Sequence, residues 1–303
     1  MIYSVRHITR YTYAKQVFLE PHTIRLLPRP DPSQQALEHI LRIEPEPGGR
    51  AFGLDLWGNG FLQVWFNGLH KELRIESTCR LQTLRENPFD YFLPPCGQTL
   101  PMQYSAVEQE GLQSCLMRRY PFGQEQRGAS GTVPDRHRDD VAELAAMLRR
   151  QTQQSSTGFL SALNTWLFTH VQRSERLEPG VLHPQALLFK RVGSCRDLAV
   201  LFVETCREAG IPARFASGYQ EGDPDTPEAE LHAWAEVYLP GIGWRGYDPT
   251  HGLVVADRHI VLAAAPEPEQ TMPVAGNYRG TGVSSHISHE VWMIPLAEKR
   301  ISC

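Results

Sequence analysis

Residues 193–220 read GSCRDLAVLFVETCREAGIPARFASGYQ, and residues 230–252 read ELHAWAEVYLPGIGWRGYDPTHG. In the first stretch Leu198, Leu201, Phe202, Thr205 and Ala209 recur at helical spacing. That stripe predicts a helix opening at Cys195 and stopping at Gly210-Ile211-Pro212. A strand then follows over Ala213 to Gln220. In the second stretch Leu231, Ala233, Ala235, Val237 and Leu239 alternate with His232, Trp234, Glu236 and Tyr238. Period two predicts a strand with His232 on the face away from the core. The turn Pro240-Gly241-Ile242-Gly243 returns the chain as a second, antiparallel strand over Gly243 to Asp248. A three- or four-residue loop sets His232 opposite residue 250 or 251. Asp248 then lies one diagonal step from it, within side-chain reach.

These placements carry chemistry. A cysteine at a helix start meets free N–H groups and the positive end of the helix dipole. Both favour thiolate, the form that attacks. Gly193 lets the backbone approach closely and leaves the thiol accessible. A histidine beside an aspartate can hold one tautomer and carry a stabilised positive charge. Asp197, in the first turn, favours the dipole or ties a neighbouring loop. Trp234 is a candidate wall for an acyl pocket, and Glu236 reads as structural. Each feature has a plainer reading, as an inert core thiol, a strand histidine or a turn aspartate, and only their joint spacing argues for a site.

Outside these stretches the chain is read coarsely. Its 303 residues fit about two domains. With 41% hydrophobic and 21% charged residues it has ordinary globular usage, which excludes a mostly disordered chain. A net charge of −4 gives no basic footprint for nucleic acid. Apolar runs are far too short to cross a membrane. Cysteines at 79, 96, 115, 195, 206 and 303 form no CxxC, so neither a disulfide frame nor a tetrahedral zinc site is expected. No HExxH occurs, and His286 and His289 fall on opposite faces of a strand-like run. The beginning MIYSVRHITRYTY has no apolar signal core. A soluble, cytoplasmic chain with reduced thiols is the resulting expectation.

Residues 1–95 alternate in short β runs separated by turn residues: Ile2 to Tyr13, Arg25 to Pro30, Leu37 to Glu44, Gly60 to Phe66 and Leu73 to Leu84. They predict an antiparallel β-sandwich-like domain. Residues 96–135 read as a connection, with a helix near Val107 to Met117 and a polar, glycine-rich loop over Phe122 to Pro134. Residues 136–303 begin with helices: one through Val141, Leu144 and Leu148, one through Leu160, Leu163, Leu167 and Val171, and a short one from Pro184. Strands follow, ending with Ile260 to Ala264 and Val283 to Ile294. The fold class is α+β.

The elements G-x-C-x-D, G-I-P-A-R, G-Y, H-A-W-x-E-V and G-W-x-x-x-D-P-T, in that order, resemble the transglutaminase-like superfamily over roughly 135–260. RYTY, RLLPRP and WGN resemble the β-rich region that precedes this domain in many bacterial members. The resemblance implies a papain-like core of helices packed on an antiparallel sheet. It also implies Cys195 as nucleophile, His232 as general base and acid, and Asp248 as orienter. Leu231, Ser194 and Arg196 stand where the family often has a small hydroxyl residue, Gln and Trp. AAAPEPEQT (263–271) stands in place of a G-R-D-like turn. These departures bear on substrate class, and no acidic loop resembles the calcium sites of animal crosslinking enzymes.

The expected activity is acyl transfer on amide bonds of a peptide or protein through a thioester, hydrolytic or else transamidating. A peptide-binding module without catalysis is the competing class. The backbone N–H of Cys195 is one oxyanion donor; the sequence does not identify the second, for which Trp166 is a candidate among upstream polar groups. No cofactor or metal is expected, and the oligomeric state stays open.

Overall fold

The computed structural model describes residues 1–121, 129–130, 138–176, 178–222 and 229–296. The expected Phe122–Pro134 loop lies outside the described residues, apart from a short bridge at Ala129–Ser130.

The front of the chain is antiparallel β. Ile2–Leu19 pairs with His70–Thr83, which pairs with Gln34–Glu44. A second sheet is built from His22–Ile24, Gly60–Trp65 and Gly49–Leu54. The sequence signal is the alternation itself: Tyr3 and Val5 point inward, as do Leu73, Ile75, Cys79 and Leu81 on the partner strand. They join Ile24, Leu62 and Val64 of the second sheet in one core. Asn59 and Gly60 open the Gly60–Trp65 strand, as the turn signal Gly58-Asn59-Gly60 implies, and Gly58 takes the positive φ such a turn needs.

The far end of the chain completes this front unit. Ser285–Leu296 runs antiparallel to Ile2–Leu19 along twelve positions, from Ile2 opposite Leu296 to Tyr13 opposite Ser285. Tyr278–Arg279 also joins Ile2–Leu19, and Val274–Ala275 joins His22–Ile24. The strand expected over Val283 to Ile294 therefore exists, but in the front sheet and not with the rear unit. The reason is packing: Val291 and Met293 are apolar at alternate positions and fill the front core beside Tyr3 and Val5.

The rear unit is one antiparallel sheet with helices on one face. Its strand order is Leu253–Val254, Gly243–Asp248, Glu230–Leu239, Ala213–Gln220, His259–Ala265. Helices Asp140–Gln151, Ser156–His170, Pro184–Lys190 and Cys195–Glu208 form the helical side. Asp139 and Ser155 cap the first two through side-chain oxygens. Pro184 is the first residue of the third. The stripe Leu198, Leu201, Phe202, Cys206 and Ala209 packs on Ala235, Val237, Leu239 and Tyr247 in a continuous core.

Residues 96–121 pack on this unit as well. Helix Ala106–Leu116 opens with a reciprocal pair between Ser105 and Glu108. The buried Glu204 carboxylate accepts from the backbone N–H groups of Arg119 and Tyr120. Among the described residues no helix is long and apolar enough to cross a membrane.

The other face of the rear sheet is closed by the front unit. Tyr219, Ile260 and Leu262 belong to the front core. This corrects the expectation that His232 faces away from the core. His232, Trp234 and Glu236 are 3%, 1% and 8% exposed. Both faces of the sheet are buried, which the alternation of residues 231–239 cannot reveal.

Gly218 sits between two strands, opposite His232 on one side and Val261 on the other. A Cβ there would fall on the Ile260 carbonyl oxygen and within 2.8 Å of the Trp234 ring. Gly218→Ala is expected to destabilise the fold by roughly 1–3 kcal/mol through overpacking. Urea unfolding checks this: the midpoint falls while the slope stays unchanged.

Candidate active site

Cys195 is the first residue of its helix, after the N-cap Ser194. Its own N–H is one of the four that no intrahelical carbonyl can satisfy. Asp197 fixes this turn. Its Oδ2 accepts from the Ser194 N–H at 2.9 Å and the Ser194 hydroxyl at 2.8 Å. Its Oδ1 accepts from the Leu182 N–H at 2.7 Å, and Arg176 pairs with the same carboxylate at 3.2 Å. Asp197 thus ties the preceding loop to the helix start, one of the two readings its position allowed. Arg196 adds to this by donating to the carbonyls of Arg176 and Glu178. Gly193 is buried where a Cβ would strike Leu187 at 2.6 Å. Cys195 itself is half-buried.

The hairpin delivers the partner groups. Ala235 pairs with Tyr247, so Asp248 stands level with Trp234, one diagonal step from His232. That is the register the turn length implied. His232 Nε2 lies 2.9 Å from Asp248 Oδ2. His232 and the backbone N–H of Ala233 both act on the Cys195 thiol and favour its ionised form. Since Nε2 faces the aspartate, Nδ1 is the ring nitrogen left for sulfur. The pairing of Gly243–Asp248 with the histidine strand ends at Ala235, which frees the Ala233 edge for the helix start.

Electrostatics follow from this geometry. Burial alone would lower the pKa of His232. The Asp248 charge, its hydrogen bond and the thiol outweigh burial and raise it to about 10. Burial alone would raise the pKa of Cys195. The hydrogen bond and charge of His232, the Ala233 N–H and the Arg196 charge outweigh it, so the thiol is more acidic than usual. Cys79, Cys115 and Cys206 go the other way, pushed up by burial. Burial opposes ionisation of Asp248 too. The His232 charge and the hydrogen bonds it receives hold its carboxyl well below the usual range.

Two histidines that the sequence reading did not single out join this carboxylate. His251 Nδ1 lies 2.8 Å, and His259 Nε2 3.1 Å, from the same Asp248 Oδ2. Oδ1 accepts from the Thr250 N–H at 3.0 Å. His251 is the partly exposed member and its ring centre lies 5.0 Å from that of His232. Donor atoms of His232, Asp248 and His251 fall within 4.8 Å of one another, a spacing a cation could use. Both imidazoles are already hydrogen-bonded to the carboxylate between them, so we read the trio as a hydrogen-bond cluster. His251 directly follows the D-P-T element, a signal that was available. His259 opens a strand seven residues long, a position without any signal of its own.

The remaining candidates take other places. Trp234 is buried beside His232 and His259, with ring centres 6.3 Å and 5.3 Å away. Closed over by the front unit, it does not wall an open pocket. Trp166 stacks on His170 at 4.8 Å and lies under the Arg191 guanidinium at 4.5 Å. Those contacts account for its position, and none of them involves Cys195.

Residues 143–249 match the family model described as the transglutaminase-like superfamily, and residues 3–82 match the bacterial transglutaminase-like N-terminal region. The chain carries a transglutaminase-like core preceded by a bacterial transglutaminase-like N-terminal region. The transglutaminase-like core thus spans the helix of Cys195 and the hairpin of His232 and Asp248. An uncharacterized protein of Mycobacterium bovis is 27% identical over 307 residues, covering 97% of this chain and 93% of its own length. A protein-glutamine gamma-glutamyltransferase of Pseudomonas aeruginosa is 37% identical over 68 residues, 20% of this chain and 10% of that protein. Among solved structures, "a putative cysteine protease from Cytophaga hutchinsonii" superposes with a TM-score of 0.65 at 16% identity, covering 97% of this chain and 98% of its own. That likeness extends the shared fold over both units.

Asp248 has a depressed pKa, so its contribution to stability is present above the unfolded value near 4 and is lost as pH falls through the folded value. The excess stability of the native chain over Asp248→Asn should be full at pH 6 and shrink below about pH 4. Urea midpoints of the two proteins at pH 6, 4.5 and 3 check the sign.

Proposed function

We propose that this protein is a thiol acyl-transfer enzyme acting on amide bonds of a peptide or protein substrate. One arrangement carries the reading: the Cys195 thiol, at a helix start, is acidified by an imidazole of which one nitrogen is held by a buried carboxylate. In this reading Cys195 thiolate attacks the amide carbon and a C–S bond forms. The carbonyl π pair moves to oxygen, which the Cys195 N–H stabilises. The tetrahedral species collapses, the C–N bond breaks, and the His232 Nδ1 proton goes to the departing amine. A thioester remains. A water molecule then loses a proton to Nδ1 as it attacks, and the C–S bond breaks to return the thiolate. Asp248 keeps the ring in register through both halves and offsets its charge.

Hydrolysis is the favoured second half. The thiol is half-buried and not sealed off, which leaves room for water at the thioester. The transamidase alternative differs only in the acceptor, an amine in place of water. The test is an acyl-donor peptide library with and without a primary amine, read by mass spectrometry. Acid product in both arms supports hydrolysis, and amide in the second arm supports transamidation. His232→Gln should lower turnover by roughly 10²–10⁴-fold, the usual worth of a general acid and base. Absence of any product, with the native chain still binding peptides, would favour a binding module.

A further inference from the structure

Two features remain unused by that chemistry: the third imidazole on Asp248, and the way the front unit grips the strand that bears it. His259 is the first residue of the strand His259–Ala265, the edge of the rear sheet. Its Nε2 donates to Asp248 Oδ2. Burial disfavours its charged form and lowers its pKa. In the neutral ring, donation to the carboxylate requires the proton on Nε2. Nδ1 is then a buried acceptor without a protein partner, and the Trp234 Nε1–H is a buried donor without one. Both residues line a cavity of about 20 Å³.

The strand of His259 is clasped from the front unit. Gln34 pairs with the backbone of Val261 on both sides: its Nε2 donates to the carbonyl at 2.8 Å and its Oε1 accepts the N–H at 2.9 Å. Asn59 does the same at Ala264, at 3.0 Å and 2.9 Å. Arg29 adds a backbone bond to Val261 at 3.1 Å. Two side-chain amides here do what a neighbouring strand would do. Both are buried, where an unpaired amide is costly. Gln34 and Asn59 are separated from Val261 and Ala264 by 227 and 205 residues, so the contact is purely between units.

We propose that His259 is a positioning residue for the Asp248–His232 pair, and that the front β unit sets its place through the Gln34 and Asn59 clasp. His232 and His259 approach one oxygen from two strands. The carboxylate is thereby held by the edge strand as well as by the histidine strand and His251. The role given to the front unit is to register the edge strand, not to touch substrate. This rests on the reading of Cys195 as nucleophile. Small displacements at a reacting group are expensive, about 100-fold for 1 Å.

The test measures the rate of Cys195 alkylation by iodoacetamide between pH 5.5 and 9, by mass spectrometry, in the full chain. Selective labelling of Cys195 in the native chain below pH 8 is the control; if it fails, the nucleophile reading fails and not the positioning claim alone. His259→Met removes the donor at similar volume and should slow alkylation at pH 6.5 by about tenfold or more. His259→Gln, whose amide nitrogen can replace Nε2, should restore the rate to within about threefold. Gln34→Leu should slow it in the same direction by a smaller factor. Gln34→Glu, which keeps the shape and loses the donor, serves where Leu prevents folding. Thermal midpoints are read in parallel. A folded His259→Met with the native rate and pH profile overturns the role of His259, as does a Gln variant no faster than Met. Folded Gln34 variants with native rates overturn the role of the front unit.

Discussion

A single oxygen organises the site. Asp248 Oδ2 is the meeting point of three imidazoles, from the histidine strand, the turn after the hairpin and the edge strand. A buried carboxylate is tolerable only when donors surround it. Here the donors also supply the design: the most buried charge fixes the ring that faces the thiol.

That arrangement requires the rear sheet to be covered on both faces. The helical side brings Cys195 to the free edge of the histidine strand at Ala233. The front unit covers the opposite side, burying Trp234 and the floor beneath His232. The return of Ser285–Leu296 to the first strand ties the two ends of the chain into that cover. The two units are thus separate in sequence pattern but share core residues, with Tyr219, Ile260 and Leu262 from the rear sheet packed among front-sheet side chains.

Much of this was legible in the residues. The helix start at Cys195, its stop near Gly210 and the hairpin register that sets Asp248 one step from His232 all follow from local periodicity and loop length. Asp197 was readable as a first-turn acid with a loop to hold. The rest depends on long-range packing that a period cannot encode. Alternation in residues 231–239 marks two faces but not that a second unit covers the polar one. The inward residues Val291 and Met293 say that a strand has a core, not which core. His259 is invisible for the same reason: its partner is reached only after the chain has crossed the sheet. Trp166 and Trp234 have contacts the sequence does not announce: Trp166 stacks on His170 under Arg191, and Trp234 is buried beside His232 and His259.

The central claim is that Cys195 forms a covalent acyl intermediate. It is tested most directly by mixing the protein with an amide or ester acyl donor, quenching in acid and weighing the intact chain. A mass increase equal to the acyl group, mapped to Cys195, sensitive to hydroxylamine and missing in Cys195→Ala, is the predicted result. Turnover of the donor with no adduct on Cys195, or with an adduct elsewhere that survives the substitution, would contradict it.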